Sequence, residues 1–231
     1  MTVTAERIAD NVARIRESIA DAAMRSGRRA GEVSLIAVTK YVGIEEIDAL
    51  IAAGCTKMGE NRPQQLWDRA DQLQGRPIHW HMIGHLQRNK ARRTLPYVTL
   101  LHAGDSLRLL EAVDRLSQEA GRVTDVLVEV NVSGDATKHG FAHDEVEPLL
   151  PKLAELSGLR IRGLMAMASW GGSLDEARQD FIRLRELRDK LATACPPEIS
   201  LDELSMGMSG DFEVAIEEGA TLVRIGSAFY A

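Results

Sequence analysis

The stretch SLIAVTKYVGIEEIDALIAAG, from Ser34 to Gly54, contains the repeating unit of the fold. Its first part, SLIAVTK (34–40), is a short apolar run with β-branched residues, which is typical of a buried strand. Its second part, IEEIDALIAAG (44–54), has apolar residues at helical spacing and ends on a glycine, a common helix stop. The unit is therefore predicted to be one strand followed by one helix.

The same unit recurs along the chain. Helical patterns alternate with further apolar runs, and Ser106 and Asp211 are candidate N-caps while Gly121 and Gly219 are candidate helix stops. The predicted strands after the first are TKMGE (56–60), IHWHMIG (78–84), VTLLHAG (98–104), TDVLVEVN (124–131), LRIRGLMAM (159–167), SLDELSMG (200–207) and TLVRIGS (221–227). This alternation predicts an α/β protein with a single (β/α)8 TIM barrel. A doubly wound open sheet is the alternative, because alternation alone does not separate the two folds.

Length and composition favour one domain over residues 1–231. The chain has 231 residues, of which 45% are hydrophobic, and this is enough to bury the core of one barrel. Ahead of the first strand, Ile8, Val12, Ile15 and Ile19 are three or four residues apart, which predicts an extra amphipathic helix at the N-terminus.

The charge and the cysteines limit the classes of partner. A formal net charge of −6 argues against binding to nucleic acid or to an anionic membrane, because both need clustered Lys and Arg. No apolar run is long enough to span a bilayer, and the N-terminus lacks the apolar core of a signal peptide. Cys55 and Cys195 are far apart and fit a reducing compartment, so we expect a cytoplasmic protein.

In a TIM barrel, functional residues lie at the carboxyl ends of the strands. SMGMSGD (205–211) enters a helix there and offers backbone N–H groups to an anion, and Ser209, Gly226 and Ser227 would add donors. These residues are alternatively ordinary turn residues. Lys40 and Arg224, taken alone, are each explained by a structural ion pair.

Taken together, these residues suggest one cofactor. A lysine facing a phosphate site can form a Schiff base with an aldehyde, which is the chemistry of pyridoxal 5′-phosphate (PLP). Lys40 would then hold the aldehyde carbon, the last two turns would hold the phosphate, and Arg224 would face the ring nitrogen.

The histidines do not predict a metal site. His79 and His81 share one face of a strand, but no third ligand follows the fifth, sixth or eighth predicted strand. We therefore predict no metal and expect His81 to form hydrogen bonds within the barrel mouth.

Longer motifs resemble a known family over nearly the whole chain. They are AVTK, MGENRPQQL, WHMIGHLQRNK, VLVEVNVSGDATKHGF, LRIRGLMAMA and LSMGMSGDFEVAIEEGATLVRIGSAFY. In this order they resemble the YggS/PROSC family of PLP homeostasis proteins. The resemblance implies a fold-type III PLP barrel, similar to the N-terminal domain of alanine racemase without its second domain.

The resemblance also implies roles for individual residues. Lys40 matches the Schiff-base lysine, and it is the one residue expected to form a covalent bond with PLP. The expected cofactor-binding residues, drawn from the family motifs and from the strand ends, are Lys40, Asn61, His81, Met165, Ser205, Met206, Gly207, Met208, Ser209, Arg224, Gly226 and Ser227. The family implies a carrier or regulator of PLP in vitamin B6 homeostasis, with apo PLP-dependent enzymes as possible acceptors, and we expect a monomer.

The alternative function is an amino-acid racemase of the alanine racemase type. Racemisation by two bases needs a proton carrier on each face of the cofactor–substrate plane, and Lys40 would serve only one. Tyr41, Tyr97 and Tyr230 match no second base of that family. A charged Arg224 at the ring nitrogen would also weaken the cofactor as an electron sink. A sugar-phosphate isomerase or aldolase would need an inward carboxylate paired with the lysine, which the sequence does not reveal.

Overall fold

Eight parallel strands close into a barrel in the computed structural model, which describes residues 3–135, 139–169 and 171–231. The barrel strands are β1 (Ser34–Val38), β2 (Lys57–Glu60), β3 (His79–Met82), β4 (Val98–Gly104), β5 (Thr124–Asn131), β7 (Leu159–Met165), β8 (Glu203–Met208) and β9 (Leu222–Ile225). A short strand, β6 (Phe141–Ala142), pairs with the end of β5. Pairing of β1 with β9 and of β4 with β5 closes the sheet, which confirms the TIM barrel and excludes the open sheet.

Helices surround the barrel and follow the predicted alternation. They are α1 (Ala5–Arg25), α2 (Ile44–Ala52), α3 (Pro63–Gln72), α4 (Arg88–Thr94), α5 (Leu107–Glu119), α6 (Val146–Ala154), α7 (Leu174–Ala192) and α8 (Phe212–Glu217). Short 3-10 turns lie at Ala30–Glu32, Leu95–Tyr97 and Ser227–Phe229. No helix in the described part of the chain is both long enough and apolar enough to cross a membrane.

The residues predicted to begin and end helices lie at helix ends in the structure. Gly54, Gly121 and Gly219 follow α2, α5 and α8 with φ of +80°, +62° and +100°, a conformation that glycine adopts without strain. Ser106 and Asp211 occupy the N-cap positions of α5 and α8, but neither side chain caps its helix. Asp211 instead accepts the N–H of Met208 at 2.5 Å, which ties the turn after β8 to the start of α8.

The N-terminal helix completes the outer ring of helices. Only a 3-10 turn follows β9, so no helix after the last strand covers the gap between α8 and α2. α1 packs against both of these helices with Ile8, Val12, Ile15 and Ile19 buried. Asn11 Nδ2 donates to the carbonyl of Phe229 at 2.8 Å and joins α1 to the end of the chain. The helix predicted as an extra element is therefore part of the barrel's closure.

The interior of the barrel contains an apolar cluster and a buried polar group. The cluster is separate from the main core and contains Ile36, Leu100, Ala103, Leu127, Met165 and Leu222. Buried polar side chains are also present, among them His81, His102, Ser205 and Arg224. Hydrogen bonds link these four side chains from β9 to β3, and Arg224 reaches the carboxyl ends of the strands, where function is expected.

Candidate functional site

Lys40 lies in a turn directly after β1, because the strand ends at Val38, two residues earlier than predicted. Its Nζ is 4.9 Å from the centre of the Tyr41 ring. The carbonyl of Lys40 accepts from Gln65 Nε2 at 3.4 Å, but Nζ has no hydrogen bond or ion pair with any residue that the structure describes. The expectation that Lys40 taken alone could be a salt-bridge donor is therefore not met, and the amine is available for a ligand.

Arg69 on α3 clamps the turn that carries Lys40. Its Nη1 donates to the carbonyl of Thr39 at 2.6 Å, and its Nη2 donates to the carbonyl of Val42. The same guanidinium pairs with Glu60, which is fully buried and also accepts from the hydroxyl of Thr39. One arginine thus fixes the backbone on both sides of the lysine.

Lys40 opens into a cavity of about 510 Å³ at the carboxyl ends of the strands. The expected site residues that line it are Lys40, Asn61, Met208, Ser209, Arg224, Gly226 and Ser227. Gly84 also lines it, and a Cβ at Gly84 would lie only 2.5 Å from the carbonyl oxygen of Asn61. The absence of a side chain at Gly84 therefore lets Asn61 pack against the backbone just after β3.

One end of the cavity is rich in hydrogen-bond donors. The N–H groups of Gly226 and Ala228 both point to Ser209 Oγ, at 3.1 and 3.5 Å. Both amides lie at the 3-10 turn after β9, and Ser227 lies between them. Converging amides and hydroxyls form a concave donor surface that suits a phosphate group.

Arg224 lies at the inner wall of the cavity and is 4% exposed. Its Nη1 donates to Ser205 Oγ at 2.5 Å and its Nη2 to the carbonyl of Ala166 at 3.0 Å. No carboxylate among the described residues is within 4.0 Å, so the alternative of a structural ion pair is not what holds it. Burial lowers its pKa to about 10, while Glu129 and Asp211 act in the opposite direction, so it stays charged at neutral pH. A buried cation held only by neutral acceptors is suited to a ligand that supplies a further acceptor.

Five expected cofactor residues do not line the cavity. His81 and Ser205 belong to the buried polar group of the barrel interior, and Met165 belongs to the separate apolar cluster there. Met206 faces outward into the layer between strands and helices. Gly207 has φ of +91°, and a Cβ there would lie 2.5 Å from Ala215 Cβ, so this glycine allows α8 to approach β8.

Known proteins with a similar sequence or a similar fold are informative about this barrel. The alanine racemase N-terminal domain family matches residues 3–231. The pyridoxal phosphate homeostasis protein of Aquifex aeolicus is 37% identical, over 96% of this chain and 96% of that one. The protein of the same name from Escherichia coli K12 is 34% identical, over 96% and 95% of the two chains.

The chain belongs to the pyridoxal phosphate homeostasis protein family. A solved structure of PipY from Synechococcus elongatus with PLP bound superimposes with a TM-score of 0.86 at 32% identity, covering 97% of this chain and 100% of PipY. Alanine racemase of Clostridium difficile superimposes with a TM-score of 0.74 at 15% identity, over 96% of this chain and 56% of that one. That likeness concerns the fold alone.

Two tyrosines of this family member reach the cavity, which the sequence did not predict. Tyr41 and Tyr230 both line it, whereas the hydroxyl of Tyr97 donates to Asp71 at 2.8 Å on the outside of the barrel. Tyr41 lies beside Lys40, on the same side of the cavity as the amine. Burial raises the pKa of Tyr230, so its phenol stays protonated near neutral pH and is not prepared to act as a base.

Glu129 is an inward carboxylate that the sequence reading missed. It is on β5, only 4% exposed, and burial raises its pKa to about 7, with Asp105 adding to the rise and Arg224 opposing it. The charges that shift its pKa are those of Asp105, Arg224 and His85, and Lys40 is not among them. The sequence contains a signal for this position, since Glu129 is two residues from Leu127 and therefore shares the inner face of the same strand.

The structure also brings together His85, Asp105 and His139, whose ligand atoms lie within 4.8 Å of one another. His85 Nδ1 and Asp105 form a hydrogen bond, and the rings of His85 and His139 stack at 4.3 Å with an interplanar angle of 10°. Two parallel stacked imidazoles cannot both direct an in-plane lone pair at one ion. In this arrangement the three residues form a hydrogen-bonded stack rather than a tetrahedral ligand set.

Proposed function

We propose that this protein binds PLP in the cavity at the carboxyl end of the barrel, as a Schiff base on Lys40, and serves as a PLP carrier in vitamin B6 homeostasis. The observation that carries the proposal is that one cavity contains an unpaired lysine amine, a surface of phosphate donors and a buried arginine without a carboxylate. These three groups match the aldehyde, the phosphate and the ring nitrogen of PLP. The names of the relatives and the PLP-bound PipY support the same cofactor.

The residues have separate roles in this proposal. Lys40 supplies the amine, and the Arg69 clamp holds its turn in place. Ser209, Ser227 and the N–H of Gly226 bind the phosphate, and Asn61, Met208 and Met167 line the remaining wall. When bound, PLP supplies an electron sink, and Arg224 keeps the ring nitrogen unprotonated and so limits that property.

A carrier role is favoured over a racemase by what surrounds Lys40. A racemase needs a second base opposite the lysine. Tyr41 contacts the lysine itself, and Glu129 is coupled to Arg224 and Asp105 and not to Lys40. We further propose that the protein acts in the cytoplasm as a monomer of one domain, residues 1–231, and that apo PLP-dependent enzymes receive its PLP.

Reconstitution of the purified protein tests this function. Added PLP should give a visible absorbance band that survives dialysis in the parent and is lost in Lys40→Ala. Under the same conditions the parent should interconvert L- and D-alanine negligibly. A Lys40→Ala variant with the parent's spectrum would refute the Schiff base, and rapid racemisation by the parent would refute the carrier role. Release of PLP to an apo enzyme, measured as regained enzyme activity, tests the acceptor.

A further inference from the structure

A continuous line of buried hydrogen bonds runs from Arg224 into the barrel. Arg224 Nη1 donates to Ser205 Oγ at 2.5 Å, and Ser205 Oγ is 2.8 Å from His102 Nδ1. His102 Nε2 is in turn 2.9 Å from His81 Nδ1. His102 and Ser205 are fully buried, and His81 and Arg224 are each 4% exposed. The line joins residues of four strands, β9, β8, β4 and β3. Of these residues Arg224 lines the cavity that contains Lys40, whereas Ser205, His102 and His81 do not.

Counting satisfied groups favours one direction for this line: the reverse direction would leave both the hydroxyl proton of Ser205 and the Nε2 lone pair of His81 without a partner among the described residues, and the direction below leaves only the Nε2 proton of His81. A guanidinium only donates, so the lone pair of Ser205 Oγ receives Arg224 and the hydroxyl proton of Ser205 is free to point to His102 Nδ1. A neutral imidazole that accepts at one nitrogen carries its proton on the other, so His102 donates from Nε2 to His81 Nδ1. His81 must then carry its own proton on Nε2. That atom is buried and has no hydrogen-bond partner among the described residues, which is where a line of successive donors would end.

Electrostatics keep both imidazoles neutral. Burial lowers the pKa of His81 to about 3, helped by Lys57 and His79, and it lowers the pKa of His102, helped by His81 and Arg224. A protonated His102 would donate to Ser205 from Nδ1, and the hydroxyl proton of Ser205 would then lose its acceptor in the line. The neutral state is therefore the one in which Ser205 both accepts from Arg224 and donates to His102.

His81 lies at the far end of the barrel as well as in the line. With Lys57 and His79 it lines a cavity of about 300 Å³ formed by residues near the beginnings of the strands. The relay therefore connects the wall of the cofactor cavity with the opposite end of the barrel.

We propose that Ser205, His102 and His81 are positioning residues that act through Arg224: a one-directional relay that fixes the guanidinium toward the ring nitrogen of the cofactor. This rests on the proposed function, because PLP is what Arg224 faces. The relay leaves Arg224 with a fixed orientation and no competing acid, so its remaining N–H groups are directed to the cavity. The two histidines thus influence the electronic state of the bound ring through Arg224, although neither histidine contacts the ring.

The first test uses the apo protein and does not depend on PLP. Nitrogen-15 NMR of the histidine rings at neutral pH should find His81 and His102 both neutral, with the proton on Nε2. A proton on Nδ1 of His102, or an imidazolium at either ring, would overturn the relay even if PLP binds as proposed.

The second test compares variants in the PLP-loaded protein. Ser205→Ala and His102→Leu should weaken PLP binding about tenfold, as expected when a charged group loses an oriented acceptor, and should shift the visible absorption maximum. His102→Gln keeps one acceptor and one donor in the amide and should retain the parent's spectrum. Ser117→Ala is the matched control, because Ser117 is also fully buried and its hydroxyl is 2.7 Å from Thr124 Oγ1 outside the line.

The outcomes separate the relay from the cofactor site. Equal spectra and affinities for Ser205→Ala, His102→Leu and Ser117→Ala, with PLP still held on Lys40, would overturn the relay alone. An equal loss in His102→Gln and His102→Leu would also overturn it, since only the bulk of the ring would then matter. A parent that binds no PLP would overturn both proposals.

Discussion

At the residue scale, Ser209 joins the two turns that face Lys40. Its Oγ receives the N–H groups of Gly226 and Ala228, so the turn after β8 and the turn after β9 are held together by one hydroxyl. Ser209 accepts in both bonds, so its own hydroxyl proton remains available to the proposed phosphate. Ser227 lies in the second of these turns and lines the same cavity.

Removing either hydroxyl should therefore weaken PLP binding. We expect Ser209→Ala and Ser227→Ala each to cost about 1–3 kcal/mol, because a charged acceptor loses a donor. Titration calorimetry of the apo protein with PLP measures the change. Ser157→Ala is the control, since Ser157 is exposed at the turn before β7, at the opposite end of the barrel. Unchanged affinity in both variants and in their double would place the phosphate elsewhere.

Whether an expected site residue reaches the cavity depends on how close it lies to the carboxyl end of its strand. Lys40, Ser209 and Arg224 line the cavity, as expected for residues at or just after predicted strand ends. Met206 and Met165, which were also expected at the cofactor, do not line it. Alternation of two in a strand separates inward from outward residues, but the sequence does not give the level at which the interior stops and the cavity begins.

At the scale of elements, one contact between α3 and the end of β2 supports the Lys40 turn. Glu60 is fully buried, and desolvation raises its pKa while Arg69 and Thr39 oppose the rise. The pair with Arg69 therefore does two things: it keeps a buried carboxylate compensated and it directs the guanidinium to the backbone around Lys40. The sequence did not reveal this clamp, because only the packing of α3 beneath the turn brings Arg69 to Thr39 and Val42.

Replacing only Arg69 should destabilise the protein more than replacing both Arg69 and Glu60. Arg69→Met should lower the free energy of unfolding by about 3–5 kcal/mol, because Glu60 is left buried without its charged partner. Combining it with Glu60→Gln should recover much of that stability but not PLP binding, since the turn of Lys40 still lacks its clamp. Urea unfolding and PLP titration of the single and double variants measure the two effects. Recovery of PLP binding in the double variant would show that the clamp does not position Lys40.

At the scale of the whole molecule, the barrel was predictable and its closure was not. Eight alternating units predict a TIM barrel, since few folds use that many parallel strands in a chain of this length. That α1 fills the gap between α8 and α2 could not be read from its amphipathic pattern, because the pattern gives a buried face and not its neighbour.

The buried histidines make the stability of the whole barrel depend on pH. The folded pKa of His81 is about 3, below its ordinary value of 6.5, so the unfolded chain takes up the proton first as the pH falls. The stability that neutral His81 contributes is full above 6.5 and is lost as the pH falls toward 3. Between pH 7 and about pH 5 the loss should be about 2 kcal/mol for this one residue.

Urea unfolding at these two pH values tests the prediction. The fall in unfolding free energy should be smaller by about that amount in His81→Gln than in the parent. His143→Gln is the control, because His143 is exposed and should leave the fall unchanged. Equal falls in all three proteins would mean that His81 is protonated in the native state.

Chemical trapping shows whether Lys40 carries the cofactor. Borohydride reduction of the PLP-loaded protein, followed by peptide mass spectrometry, should place the phosphopyridoxyl mass on the peptide that contains Lys40. Lys57 is the internal control, since its Nζ donates to Ser34 Oγ at 2.7 Å at the other end of the barrel, and Lys138 is a second one that lies outside the described residues. Label on Lys40 in the parent, and its loss in Lys40→Arg, is the predicted result. Label on Lys57 or Lys138 with Lys40 unmodified would show that Lys40 does not hold PLP.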